Sequence, residues 1–152
     1  MHGPNTPWKT EAAFWSWLRG GLRRSLWMRH PVKIGVLNGS RFKAPIGVKG
    51  KDVWAVECAI CNRIARQGNA EVDHKAGNVS LKCEEDVLAF VKHLAFITPE
   101  QLQIVCKPCH KIKSMAERYG YTFEEAKERK RIIQENKNKK KDTKCKKKKR
   151  KK

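Results

Sequence analysis

Two Cys-x-x-Cys turns punctuate the chain, Cys58 with Cys61 and Cys106 with Cys109, and between them an aspartate and a histidine stand side by side in "EVDHKAG", residues 71–77. Zinc prefers thiolate sulfur, and two such turns supply the four ligands of a closed tetrahedral site, which is structural because no position is left open for chemistry. A redox role is the alternative for either Cys-x-x-Cys, but two copies in one short chain favour a shared metal. The 44 residues between Cys61 and Cys106 exceed the spacing of a simple zinc ribbon, so a folded segment must lie between the knuckles. Cys83 and Cys145 stand alone and are expected to ligate nothing.

Asp73 and His74 lie in that interval, and His110 directly follows the last cysteine. A zinc clamp would therefore gather a carboxylate and two imidazoles at one helix start. A carboxylate and an imidazole suit a hydrated divalent ion, while a second imidazole can take a proton from water. The competing reading is two coincidental surface histidines.

The elements that must position these groups can be read from pattern. Thr10 caps a helix from Glu11 to about Met28, with Phe14, Trp17, Leu18, Gly21, Leu22 and Ser25 at helical spacing, and the His30-Pro31 step ends it. Its tryptophans are read as core packing, with base stacking as the alternative. Residues 31–51 look like an irregular basic connector. The apolar runs 53–62 and 70–73 suggest two short strands or a hairpin. Residues 84–97 read as a helix closed by Thr98-Pro99, "QLQIVC" as an extended segment, His110 to Tyr119 as a helix ended by Gly120, and Thr122 with Glu125 as the capping box of a last helix.

With 152 residues the chain has room for one compact domain with appendages. Its 35 Lys+Arg against 15 Asp+Glu give a formal charge of +20, a self-repulsion that a polyanion would relieve, so nucleic acid is the first partner to consider. Residues 137–152 hold 12 Lys/Arg and one Asp, and are expected to be a disordered arm. A solubilising tail, or a lipid anchor at Cys145, are the weaker readings. No apolar run approaches the ~20 residues of a membrane-spanning helix. The opening "MHGPNTPWKT" lacks the segments of a signal peptide. A soluble cytoplasmic protein with no membrane partner is the expectation.

Over residues 53–116 the combination of "C-x2-C", "VDHK" and "LQIVCKPCHKIKS" resembles the HNH endonucleases, specifically small phage-type or homing members of the ββα-metal superfamily that carry a four-cysteine zinc site. "FWSWLRGGLRRSLW" is similar, more weakly, to the leader of phage HNH proteins. The resemblance implies an α+β fold: a ββα-metal (His-Me finger) core clamped by zinc at Cys58, Cys61, Cys106 and Cys109, with N- and C-terminal helices. The implied divisions are a basic helix and connector over 1–51, an HNH nuclease domain over 52–119, a helix over 120–136 and the polylysine tail over 137–152.

The implied activity is metal-dependent hydrolysis of DNA phosphodiesters, by nicking or double-strand cleavage, in the cytoplasm of a host cell if the chain is phage-encoded. His74 matches the general base, and Asp73 and His110 match the ligands of a catalytic Mg2+ or other divalent ion. Lys113 falls at the motif's basic position, and Arg19, Arg23 and Arg24 are expected on DNA phosphates. The family's middle Asn is Gln101 here, with Asn78 a weaker substitute. A further helix histidine of colicin-like members is replaced by Ser114. Double-stranded DNA is the expected partner, a phage terminase a candidate second one, and the oligomeric state is open. The alternative reading is a non-catalytic zinc-stabilised DNA-binding module.

Overall fold

The computed structural model describes residues 7–77 and 79–149, with side chains to residue 139. Among these residues the protein is mixed α and β, with five α-helices and two small antiparallel sheets. The chain divides into two compact units, residues 1–106 and 107–152.

The first unit opens with α1 (Glu11–Leu22), whose Thr10 cap accepts the Ala13 N–H on Oγ1 at 3.2 Å. The helix does not stop at Leu22. It runs on as a π turn, Arg23–Trp27, closed by the Met28 N–H on the Arg23 carbonyl at 3.1 Å. The buried stripe differs from the expected one. Trp15 is buried, with Phe14, Leu18, Leu22 and Leu26 beside it, while Trp17 is 54% exposed.

Residues 31–51 are not an irregular connector. Pro31 opens α2 (Pro31–Ser40), because a proline that ends one helix is well placed at the first position of the next. His30 is the cap. Its Nδ1 accepts the Val32 N–H at 3.3 Å, which leaves Nε2 to donate to the Ala95 carbonyl at 3.1 Å. Val32, Val36 and Leu37 then pack on a core of Val56, Val72, Ile97, Leu102 and Ile104. Trp27 and α2 thus share a core with the segment that follows them.

Strand β1 (Phe42–Ala44) pairs with β2 (Val53–Glu57), which pairs in turn with β3 (Ile64–Arg66). Strand β4 (Ala70–His74) pairs with β5 (Leu102–Cys106), so the expected strands at 53–62 and 70–73 exist but do not form a hairpin with each other. Between β4 and β5 lies α3 (Asp86–Ala95), which presents Phe90 and Leu94 to Trp15 and Leu81 in a second core.

In the second unit, α4 (Lys107–Tyr119) begins three residues before His110 and ends at Gly120, whose φ of +68° suits a residue without Cβ. The capping box forms as expected. The Thr122 N–H donates to Glu125 Oε2 at 2.8 Å, and the Glu125 N–H to Thr122 Oγ1 at 3.2 Å. Helix α5 (Phe123–Lys149) continues past residue 136, where the charge pattern places the start of a disordered tail. Nothing in 137–149 is Gly or Pro, and Glu124 and Glu125 at one end with lysines at the other complement the helix dipole. Residues 150–152 lie outside the described residues.

Phe90 is fully buried in the second core. Phe90→Ala should destabilise the chain by about 3–5 kcal/mol, the usual range for emptying an aromatic site, as read from urea unfolding followed by circular dichroism.

Candidate metal centre and histidine cleft

The first knuckle follows directly from β2. Its turn is closed by the Asn62 N–H on the Cys58 carbonyl at 2.8 Å, with Asn62 in the left-handed region at φ 54°, which asparagine tolerates well. The Ala59 N–H donates to the Ile104 carbonyl at 2.8 Å and the Cys106 N–H to Cys58 Sγ at 3.3 Å, so the turn is tied to β5 at two points.

The sulfurs of Cys58, Cys61, Cys106 and Cys109 all lie within 4.8 Å of one another, and Cys61 and Cys106 are 3.9 Å apart. A tetrahedral ion with Zn–S bonds near 2.3 Å sets its sulfurs about 3.8 Å apart, so the cluster has the size that zinc requires. Among the described residues no other group of three or more His, Cys, Asp or Glu converges in this way. Burial pushes the Cys58 thiol up, but N–H groups of Cys106, Cys61 and Ile60 directed at it outweigh this and bring it below its ordinary value, toward thiolate. Cys83 behaves oppositely, since the Glu85 carboxylate holds it as a thiol, and it takes no part in the cluster. The side chain of Cys145 lies outside the described residues.

The β4–β5 ladder places the acid and the histidine. Ala70 faces Cys106, Val72 faces Ile104, Asp73 faces Gln103 and His74 faces Leu102. Neighbours on a strand point to opposite faces, so His74 shares a face with the core residue Val72 and Asp73 does not. The His74 ring stacks on Trp27 at 4.4 Å and on His93 at 3.9 Å between centroids. Its Nε2 is sealed from solvent. Trp27 arrives from the π turn and also carries Lys33 Nζ at 4.7 Å from its ring centroid. Burial lowers the Lys33 pKa, against a raising influence of Glu71.

His74 lines a cleft of about 440 Å3 with Lys75, Lys92, His93, Phe96 and Gln101. Two imidazoles and two ammonium groups make its rim basic. His93 and Trp27 were not singled out from sequence. The "KH" step inside the otherwise apolar "LAFVKHLAF" was the available signal for His93, whereas nothing local marked Trp27.

Gln101 lies at the rim, but its amide is engaged elsewhere. Oε1 accepts the Thr98 N–H at 2.9 Å in the capping box of the turn Pro99–Gln101, and its carbonyl accepts the Lys75 N–H at 2.8 Å. Asp73 is half-buried and is not among the cleft residues. His110, the fourth residue of α4, is half-buried in the second unit. Lys113 makes an i,i+4 ion pair with Glu117. Arg19 donates to the Leu81 carbonyl. Arg23 lies 5.6 Å from the Phe90 ring centroid, its pKa lowered first by burial and then by Arg19. Arg24 is exposed. Asn78 lies outside the described residues.

No protein-family model matches the chain, nor does any curated protein or solved structure. Among the described residues no helix is long and apolar enough to cross a membrane.

Purified protein should contain one zinc per chain by elemental analysis, and chelation or acidification should unfold it, because protons compete with the metal for the thiolates. Cys106→Ser should yield insoluble or protease-sensitive protein. A zinc-free preparation that remains folded would overturn the assignment.

Proposed function

We propose that the protein is a metal-dependent HNH-type DNA endonuclease that hydrolyses phosphodiester bonds. The observation that carries this reading is the basic cleft, in which His74 at the end of β4 meets His93, Lys75 and Lys92. The chain order of two antiparallel strands followed by a helix, β4, β5 and α4, supports it, as does a four-cysteine cluster at the strand end remote from His74.

In this reading Lys75 and Lys92 draw a phosphate to the cleft. His74 takes a proton from a water as the water oxygen attacks phosphorus, and the 3′ oxygen leaves with the bonding pair. Trp27 and His93 are positioning residues that fix the plane of the imidazole. In the HNH resemblance Asp73 and His110 match the ligands of a hydrated divalent ion such as Mg2+, one a carboxylate and the other an imidazole. When bound, such an ion supplies charge neutralisation at the phosphate and leaving oxygen. DNA is the proposed partner, its duplex gripped by Arg24 and the lysines of α5 through salt-dependent phosphate contacts. A homing, DNA-processing or packaging role, the last with a phage terminase, would follow from the HNH resemblance.

A specific observation favours the second reading, a non-catalytic zinc-stabilised DNA-binding module. The Gln101 Oε1 that would orient a general base is occupied by Thr98, and the His74 ring is packed between aromatic neighbours as a core side chain would be.

Plasmid cleavage separates the two. With Mg2+, Mn2+, Ni2+ or Zn2+ the wild type should convert supercoiled plasmid to nicked or linear forms, and His74→Ala should lower the rate by about 10²–10⁴ with DNA affinity nearly unchanged. Asp73→Ala and His110→Ala should also lose cleavage, with partial rescue by excess metal that His74→Ala does not show. Gln101→Asn loses the Thr98 cap and should cost about 0.5–2 kcal/mol of stability, so its activity must be read below its unfolding temperature. Wild-type protein that leaves plasmid supercoiled in every metal, as does Gln101→Asn, would give the binding module the stronger claim.

Deleting residues 137–152 should weaken binding of every DNA sequence alike. It should also flatten the slope of log affinity against log salt by about 0.9 for each phosphate that the tail had neutralised. An unchanged slope would mean that the tail does not touch DNA.

A further inference from the structure

On the sheet β1–β2–β3 a tryptophan carries two cations at once. Lys43 faces Trp54 across the β1–β2 ladder, and Arg41, two residues earlier, lies on the same side of the chain. Lys43 Nζ and Arg41 Cζ are each 4.4 Å from the Trp54 ring centroid. Among the described residues neither cation makes an ion pair. The ring quadrupole offsets part of the repulsion between the two charges. Trp54 itself remains 44% exposed, so part of the indole is open to solvent.

Two uncompensated cations call for anions, and an exposed indole calls for a flat apolar partner. A nucleic-acid strand with unpaired bases brings both in one molecule, phosphates at the spacing of the backbone and a base with an open π face. A protein partner rich in carboxylates would satisfy the cations and leave the ring unused. A duplex offers phosphates, but its base faces are stacked away inside.

We infer that Arg41, Lys43 and Trp54 form a platform for single-stranded DNA, with a base stacked on Trp54 and neighbouring phosphates on Arg41 and Lys43. This surface is separate from the His74 cleft, whose lining contains none of the three residues. It does not require that the chain cleave anything.

The test measures binding of labelled oligothymidylate, an abasic oligomer of equal length and a blunt duplex to the full zinc-loaded chain, without added divalent metal and across a salt series. Trp54→Leu should weaken oligothymidylate about tenfold, the order of one base–aromatic stack, and leave the abasic oligomer and the duplex unchanged. Trp54→Phe should restore most of the loss. Arg41→Gln with Lys43→Gln should weaken oligothymidylate and abasic strands alike, and lower the salt slope by about 1.4, at about 0.7 per phosphate of a single strand. Thermal unfolding and zinc content, measured for each variant, separate a lost platform from a lost fold. Oligothymidylate affinity that survives Trp54→Leu in a folded variant, or an equal loss on abasic and duplex DNA, would overturn the inference. Because the readout is binding, a chain that fails to cut plasmid can still pass, and one that cuts can still fail.

Discussion

Cys106 is where the fold and the candidate site are joined. It is at once a member of the sulfur cluster and the last residue of β5, where it faces Ala70. Its amide is spent on Cys58 Sγ, so it cannot shift along its partner strand without breaking the knuckle. A one-residue slip in a ladder sends every side chain to the other face. The sulfur cluster thus fixes, four residues along the partner strand, that His74 and not Asp73 meets Trp27 and His93. A metal ion there would do more than close a loop, since it would set the facing of a histidine at the opposite end of the β4–β5 pair.

The walls of the cleft are continuous with the interior. Trp27 packs against both hydrophobic cores, one built on β4 and β5 and the other on α1 and α3. The ring that stacks on His74 is therefore held by both cores, and repacking either one would be felt at the imidazole. Charge is sorted with similar economy. Arg19 donates to the Leu81 carbonyl and Arg23 lies over the Phe90 ring, whereas Lys75 and Lys92 are exposed at the cleft and Arg41 and Lys43 lie over Trp54.

What could be read from sequence was chemistry of residue type at short spacing. The four cysteines, the Thr10 cap, the Thr122–Glu125 box and the stop at Gly120 are each decided by a few neighbouring residues. Features that depend on distant partners were hidden. Helix α2 was masked by Gly35 and Gly39, which dilute its apolar stripe, and by a proline that reads as a stop from one side and a start from the other. The partner of β4 lies beyond α3, and no local pattern names it. Gln101 could be read as a displaced amide, but its use in capping the Pro99 turn depends on geometry that spacing alone does not give. Trp15 and Trp17 are equally apolar in sequence, and only the phase set by α3 buries the first and exposes the second.

The π turn at Arg23–Trp27 has a consequence for chain length. It accommodates one residue more than the α-helical turn it replaces, and because a π turn winds each residue through a smaller angle, the extra residue is absorbed locally and the chain beyond it keeps nearly its phase. Downstream of the turn His30 keeps the facing that sets it against Ala95, while Trp27, inside the turn, is carried to the His74 ring. A single-residue deletion within Arg23–Trp27 is therefore the length change this helix should tolerate most easily, because the turn gives up its extra residue and the elements beyond it stay in place.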